Sequence, residues 1–243
     1  MSLTSLTSST SLTTPTSEGP LSRFALIKAV LGPIMRLMFR PQVEGAERIP
    51  GDGAVILAGN HLTFIDSIVL PLVTRRQVHF IGKDEYVTGK SLKGRLMAWF
   101  FTGVGMIPVD RDGASGGVAA LMTGKRVLEE GKMFGIYPEG TRSPDGRLYR
   151  GRTGIARLAL MTGAPVVPFA VIGTDKLQPG GRGMPRPGKV TIRFGEPMEF
   201  SRYEGMDRDR YVLRAVTDSV MAEVMRLSGQ EYVDMYATKA KAA

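Results

Sequence analysis

Of the two histidines in the chain, His61 stands in a setting that suggests chemistry. It lies in the segment NHLTFIDS, and Asp66 follows it five residues later. A carboxylate that accepts a hydrogen bond from one imidazole nitrogen fixes the tautomer and leaves the other nitrogen free to take a proton from an alcohol. The pair therefore points to general-base catalysis at a hydroxyl group. The alternative is a structural histidine that ties down the start of a helix.

The spacing of this pair limits where His61 can lie. Within one continuous helix, five residues turn the chain by about 500°, so the two side chains would point apart. They can meet if His61 belongs to a loop and the helix begins after it. The apolar run 54–58 predicts a buried strand and residues 66–74 predict a helix, so the sequence provides such a loop. The second histidine, His79, falls inside the strand pattern VHFIG, and we interpret it as structural.

A second group of polar residues, YPEGTRSPDG, follows another predicted strand. Gly140 allows the backbone to approach a ligand closely, and Arg142 offers a planar fork of N–H donors that suits a phosphate monoester. Thr141 adds a hydroxyl group and an exposed backbone amide. Glu139 is suited to hold a polyol hydroxyl or to pair with an arginine. An Arg–Glu structural turn is the alternative to a phosphate-binding loop.

A further arginine, Arg111, follows the apolar segment MIPV, which predicts a strand over 106–109. Residues that leave the ends of parallel strands at one edge of a sheet face the same crevice. We therefore expect Arg111 and Arg142 to face the same crevice.

The elements that must position these residues alternate along the chain. Strands are predicted over 54–58, 78–82, 106–109, 133–137, 165–172 and 190–194. Helices are predicted over 66–74, 92–101, 115–130, 153–161 and 207–227. This alternation predicts a single-domain α/β fold with a largely parallel β-sheet flanked by helices.

Composition narrows the possible chemistry and partners. The net charge of +9 favours an anionic partner such as nucleic acid, anionic lipid or a phosphorylated substrate. Cysteine is absent from the chain, which excludes disulfides, cysteine nucleophiles and thiolate metal sites. The segment TGKS over 88–91 lacks the upstream glycine of a nucleotide-binding P-loop.

The N-terminal region consists of a Ser/Thr-rich stretch followed by an amphipathic stretch. Residues 1–20 form a Ser/Thr-rich tail that cannot bury enough apolar surface to become ordered. Residues 21–41 predict an amphipathic helix with Pro33 inside it, too short and too charged to span a bilayer. Such a helix either packs on the domain or lies in the headgroup region of an anionic membrane. The lipid-related motifs named next favour the membrane.

These motifs together resemble those of the 1-acylglycerol-3-phosphate acyltransferases, the PlsC-like branch of the glycerolipid acyltransferase superfamily. NHLTFID looks like the first block of that family, NHxxxxD, and MIPVDR looks like the second. YPEGTRS looks like the third block, usually FPEGTRS, with Tyr137 in place of the more common Phe. VVPFAVIGT looks like the fourth, an apolar strand around a proline. The blocks occur in order and cover about residues 42–200.

The resemblance implies a mechanism and a set of roles. His61 acts as the general base, Asp66 orients it, and the acceptor hydroxyl attacks the thioester carbonyl directly. Arg111 and Arg142 bind the phosphate group of the acceptor. No metal is needed, and there is no cofactor besides acyl-CoA or acyl-carrier protein as the donor substrate. The residues implied to shape the acceptor pocket come from the third and fourth blocks: Glu139, Gly140, Thr141 and Pro168.

The expected reaction moves a fatty acyl group from the thioester to the sn-2 hydroxyl of 1-acylglycerol 3-phosphate, giving phosphatidic acid. The expected partners are the thioester donor, the lysophospholipid and an anionic membrane surface, without nucleic acid. The expected location is peripheral, on the cytoplasmic face of the cell membrane. Within the chain, residues 21–41 associate with the membrane, 42–230 form the acyltransferase domain and 231–243 form a C-terminal tail.

Several alternatives stay open from the sequence. The acceptor is lysophosphatidic acid, another lysophospholipid, glycerol 3-phosphate or a glycolipid, and the motifs do not separate these. A non-catalytic lipid-binding relative would share the same motifs. A basic nucleic-acid-binding domain would explain the charge but neither motif, and aromatic residues make up only 7% of the chain, which is thin for base stacking.

Overall fold

A computed structural model of the chain describes residues 22–83, 91–109, 116–179 and 183–242. Two predictions fall outside these residues: the tail over 1–20 and the phosphate contact of Arg111.

The described residues form helices and strands that alternate as the sequence predicts. The helices are α1 (Arg23–Phe39), α2 (Asp66–Val73), α3 (Leu92–Gly103), α4 (Gly116–Glu129), α5 (Gly154–Thr162), α6 (Thr174–Leu177), α7 (Arg210–Ser228) and α8 (Ala237–Ala240). The strands are β1 (Gln42–Glu44), β2 (Val55–Gly59), β3 (Val78–Lys83), β4 (Met106–Val109), β5 (Met133–Ile136), β6 (Leu148–Tyr149), β7 (Val166–Ile172), β8 (Thr191–Phe194) and β9 (Tyr232–Val233). The predicted long elements are present. The elements that were not predicted are all short.

Seven of these strands form one sheet in the order β1-β8-β7-β2-β5-β3-β4. Only the β7–β8 pair within this sheet is antiparallel. The five strands β7, β2, β5, β3 and β4 therefore run in one direction, and their carboxyl ends lie along one edge of the sheet. The predicted fold, α/β with a largely parallel sheet flanked by helices, is confirmed.

The sheet is covered on both faces, which explains why its central strands are apolar throughout. All five residues of β2 are buried. Leu57 belongs to a core cluster with Phe39 of α1 and Val69 of α2, whereas its neighbour Ile56 belongs to a cluster with residues of α4, α5 and α7. Successive side chains of a strand point to opposite faces, so a strand between two helical layers must be apolar at every position.

Helix α1 begins at a side-chain cap and ends without a glycine. Ser22 Oγ accepts a hydrogen bond of 3.1 Å from Ala25 N, and Arg40 at the end has a positive φ of 38°. Pro33 lies inside the helix, as predicted. No helix among the described residues combines the length and the apolar character needed to cross a membrane.

Residues 231–242, which we call the C-terminal segment, pack on the domain. β9 pairs in parallel with β6, and Ala237 of α8 is fully buried. The sequence predicts only a tail here, because a two-residue strand and a four-residue helix are too short to show a periodic pattern.

Candidate active site

The carboxylate of Asp66 organises the loop between β2 and α2. His61 lies in this loop, and its Nδ1 is 3.0 Å from Asp66 Oδ2. The same oxygen accepts hydrogen bonds from the backbone amides of Leu62 at 2.7 Å and Thr63 at 2.8 Å. Asp66 is the first residue of α2 and is completely buried. A carboxylate at this end of a helix is favoured by the helix dipole, so the loop and the helix together hold the charge in place.

The other oxygen of Asp66 is held by a residue that the sequence does not single out. Thr174 Oγ1 donates a hydrogen bond of 2.6 Å to Asp66 Oδ1. Thr174 follows β7, which is the neighbour of β2 in the sheet, and it is also completely buried. Both carboxylate oxygens therefore have donors, as a buried charge requires. The signal that could have revealed Thr174 is its position as the last residue of the fourth block, at the same edge of the sheet.

The contact with Asp66 fixes the tautomer of the His61 imidazole. With Nδ1–H donating to Asp66, the lone pair on Nε2 is free to accept a proton. Nothing among the described residues makes a hydrogen bond with Nε2, and the side chain of His61 is 16% exposed. The pair predicted from the sequence is thus brought together in the geometry of a general base and its orienting carboxylate.

The aromatic ring of Tyr137 holds the plane of the imidazole. Tyr137 follows β5, the other neighbour of β2, and its ring stacks on His61 with 4.0 Å between centroids and 10° between planes. Its hydroxyl lies 3.2 Å from Ser67 Oγ. Burial raises the pKa of Tyr137 well above its usual value, so the phenol stays neutral. The sequence identified Tyr137 only as a substitute for phenylalanine and did not predict this contact.

Glu139 joins the two motif loops through backbone amides. Its Oε1 accepts from His61 N at 3.2 Å and its Oε2 accepts from Tyr149 N at 3.1 Å. The residue is 1% exposed, and burial raises the pKa of its carboxyl to about 7, against the effect of the two amide donors. Both oxygens are thus engaged in holding His61 and β6 in place. The sequence predicted instead that Glu139 holds a substrate hydroxyl or an arginine.

The rest of the third block lies beside His61. Ser143 N donates a hydrogen bond of 2.7 Å to His61 O, so Arg142, which is half-buried, directly precedes a residue bonded to the histidine backbone. Gly140 has a positive φ of 74°, and a Cβ atom there would lie 2.9 Å from Arg152 Nε. A side chain at Gly140 would therefore be strained and crowded.

Pro168 is the one described site prediction that the structure does not bring to this group. It lies on β7 next to Phe169, whose ring contacts Tyr137 at 6.2 Å between centroids. Alternation along the strand turns Pro168 to the other face of the sheet. There its Cγ packs near Gly195 and Leu227, on the side covered by α7. The sequence predicts the strand correctly but not which residues of it face the site.

The buried side-chain amide of Asn60 connects neighbouring strand ends beside the site. Asn60, the residue before His61, accepts from Val171 N at 2.8 Å and donates to Val171 O at 2.9 Å. It also donates to Gln230 Oε1 at 2.8 Å, and Gln230 in turn donates to Gly146 O at 2.6 Å. The end of β2, the end of β7 and the loop of the third block are thereby joined.

Comparison with known proteins agrees with these motifs. A family model described as Acyltransferase matches residues 40–172. The chloroplastic 1-acyl-sn-glycerol-3-phosphate acyltransferase LPAT1 of Arabidopsis thaliana is 31% identical over 166 residues, which cover 68% of this chain and 45% of that protein. The 1-acyl-sn-glycerol-3-phosphate acyltransferase of Bacillus subtilis is 29% identical over 202 residues, which cover 81% of this chain and 92% of that protein.

The fold also matches a solved structure. The crystal structure of the 1-acyl-sn-glycerophosphate acyltransferase PlsC from Thermotoga maritima superposes with a TM-score of 0.64 and 26% identity, covering 85% of this chain and 81% of that one. The chain spans less than half the length of the chloroplastic relatives that it matches, at 45% and 46%.

Proposed function

Because the chain belongs to the acyltransferase family, we propose that it transfers a fatty acyl group from a thioester to the sn-2 hydroxyl of 1-acylglycerol 3-phosphate, giving phosphatidic acid. The support is the similarity to proteins named for this reaction, one of which it matches over 92% of that protein's length. The observation that carries the proposal is the His61–Asp66 pair, held at 3.0 Å and tied through two backbone contacts to the loop that carries Arg142.

The proposed chemistry needs no covalent enzyme intermediate. His61 Nε2 takes the proton of the acceptor hydroxyl as its oxygen attacks the thioester carbonyl carbon. The imidazolium formed is stabilised by Asp66, whose charge is held by three backbone or hydroxyl donors. The tetrahedral intermediate then expels the thiolate, the C–S bond breaks, and the imidazolium returns its proton to the sulfur. The products are an ester and a free thiol.

The acceptor is held through its phosphate group in this proposal. Arg142 offers the donor fork for a phosphate monoester next to the His61 loop, and Arg111 remains a predicted second contact. Gly140 and Thr141 shape the loop. Glu139 acts as a positioning residue, because both of its oxygens already accept backbone amides.

We further propose that α1 holds the protein at the cytoplasmic surface of an anionic membrane, where the lysophospholipid resides. α1 packs Phe24 and Ile27 into the protein. Its outer side leaves four apolar side chains exposed: Leu26 at 54%, Val30 at 58%, Ile34 at 52% and Leu37 at 78%. This spacing forms one stripe along the helix, so α1 both packs on the domain and presents an apolar face to a bilayer.

An activity assay identifies which donor and which acceptor the protein uses. Acyl-CoA and acyl-carrier protein both present a thioester with anionic phosphate groups, and glycerol 3-phosphate or another lysophospholipid is the alternative acceptor. A non-catalytic relative would bind the membrane without releasing thiol. A nucleic-acid-binding role would not explain why His61 and Asp66 are arranged as a base and its orienting carboxylate.

The test is thiol release by the purified protein with each donor and a panel of acceptors. We expect turnover with lysophosphatidic acid and a loss of about two to four orders of magnitude in His61→Ala. The matched control is His79→Gln. His79 is the other histidine, its Nδ1 lies 3.2 Å from Met133 O near the amino ends of the strands, and its loss should leave turnover largely intact. Full activity in His61→Ala would refute the mechanism.

A further inference from the structure

The C-terminal segment is joined to the third block through hydrogen bonds that backbone N–H groups at β6 donate to both sides. Leu148 N donates to Glu231 O at 2.9 Å, and Arg150 N donates to Met235 O at 3.0 Å. On the other side, Tyr149 N donates to Glu139. β6 therefore lies between the C-terminal segment and the loop that carries Arg142, so the two are positioned relative to each other.

Side chains reinforce this connection. The guanidinium groups of Arg150 and Arg152 lie 5.8 and 5.4 Å from the ring centroid of Tyr236. Arg152 Nη2 donates to Thr238 Oγ1 at 3.2 Å, while Arg152 N donates to Pro138 O at 2.7 Å. Arg152 thus contacts α8 with its side chain and the third block with its backbone. The C-terminal segment therefore packs against the loop of the third block.

This packing places a lysine against the third block. Lys241 Nζ donates a hydrogen bond of 2.8 Å to Thr141 Oγ1, the residue directly before Arg142. Partial burial and the nearby charge of Arg142 lower the pKa of Lys241, and Glu139 opposes that change. Two cations at one side of a loop repel each other, and a dianion bound between them would turn that cost into a favourable interaction.

We propose that Lys241 is a further phosphate-binding residue of this site, contributed by the C-terminal segment and paired with Arg142 on one phosphate monoester. The proposal rests on the function proposed above. A lysine is a compact charge on a flexible stem with three N–H donors, and one of them already points to Thr141. The remaining donors can follow a phosphate group that Arg142 orients. The monoester is that of the lysophospholipid or the 3′-phosphate of coenzyme A.

The experiment measures equilibrium binding, so its result does not depend on turnover. Short-chain lysophosphatidic acid, the matching monoacylglycerol and coenzyme A are titrated calorimetrically into the full chain. The variants are Lys241→Met, Lys241→Arg and the control Lys239→Met, which changes an exposed lysine of α8, two residues before Lys241. Methionine keeps the apolar stem of lysine and removes its charge and its N–H donors.

We expect Lys241→Met to weaken binding of lysophosphatidic acid about tenfold, with monoacylglycerol unaffected and Lys241→Arg close to the unmodified protein. A loss confined to coenzyme A would assign the same site to the donor phosphate. Equal losses for lysophosphatidic acid and monoacylglycerol would show a purely structural lysine and overturn the proposal, as would no loss at all. Absence of thiol release by the unmodified protein would instead count against the proposed reaction.

Discussion

Thr174 Oγ1 lies 2.6 Å from Asp66 Oδ1, and this contact joins the first residues of α6 and α2, the helices that follow the neighbouring strands β7 and β2. The His61 loop supplies no donor to Asp66 Oδ1, because its backbone amides and the imidazole Nδ1 all bond to Oδ2. The hydroxyl of Thr174 supplies the donor for Oδ1. The fourth sequence block therefore contacts the His61–Asp66 pair through its last residue, Thr174, and not through Pro168.

Replacing Thr174 by valine removes this donor while keeping the shape of the side chain. The buried Asp66 Oδ1 then lacks a partner, which costs about 1–3 kcal/mol, and the carboxylate can rotate away from His61. We expect kcat to fall about tenfold with KM for the acceptor nearly unchanged, and Thr174→Ser to retain most of the activity.

A matched control exists in Thr217, a fully buried threonine on α7 whose hydroxyl donates to Leu213 O at 2.7 Å. Thr217→Val should lower the melting temperature but not kcat. Equal losses of kcat in both valine variants would mean that Thr174 matters only for folding.

The stacked ring of Tyr137 leads to a second prediction, because its two functions can be separated. Tyr137→Phe keeps the ring on His61 and removes the 3.2 Å hydroxyl contact with Ser67, so we expect kcat within about twofold of the unmodified protein. Tyr137→Leu removes an aromatic contact worth about 0.5–1.5 kcal/mol and frees the imidazole plane, so kcat should fall about tenfold.

Ser67→Ala removes the same hydroxyl contact from the other side and should behave like Tyr137→Phe in steady-state assays. A large loss of kcat in both of these variants, comparable to that of Tyr137→Leu, would assign the effect to the hydroxyl pair and not to the ring.

Glu139 gives a prediction about pH. Burial raises the pKa of its carboxyl from 4.5 to about 7 in the folded protein. The folded state therefore keeps this proton at pH values where the unfolded chain has lost it. Stability from this group is full below about pH 4.5 and declines as pH rises to about 7, by up to about 3 kcal/mol.

This pH dependence can be measured by urea unfolding of the unmodified protein and Glu139→Gln at pH 5 and pH 8. Glutamine carries no titratable proton, so the variant should lose less stability between the two pH values, although it is less stable at both because its amide group faces a backbone N–H. Identical changes in the two proteins would show that Glu139 has an ordinary pKa.

The sequence predicts the two halves of the site well, because each is a short loop after an apolar strand. His61 and Asp66 follow β2, and Arg142 follows β5. A parallel sheet brings such loops to one edge whatever the strand order. The sequence pattern does not predict that β2 lies between β5 and β7, because β2 is far from both strands in sequence. The roles of Thr174 and Glu139 depend on that order.

Other features needed information that a single sequence does not carry. The turn of Pro168 to the α7 side follows from the register of β7 against β2, which the apolar run 165–172 leaves undefined. Lys241 reaches Thr141 only because a two-residue β9 pairs with β6. Such a short strand is stabilised by its tertiary contacts and leaves no periodic signal.

The exposed stripe of α1 supports a prediction about membrane binding. Deleting residues 1–40 would also remove Phe24, Ile27 and Phe39 from the core, so point variants are the cleaner test. Val30→Asp with Leu37→Asp places two charges on the outer face only. Because each exposed apolar side chain gains about 1.5–3 kcal/mol when buried, we expect sedimentation with vesicles containing phosphatidylglycerol to fall at least tenfold.

The control is Val118→Asp with Met122→Asp on α4, whose side chains are 62% and 48% exposed. The packed residues of α4 contact the sheet face opposite to that of Phe39 in α1, so this pair should sediment like the unmodified protein. Added salt should also weaken binding of the unmodified protein, because Arg23, Arg36 and Arg40 lie along or next to α1. If both double variants sediment alike, with circular dichroism showing both folded, the outer face of α1 does not bind the membrane.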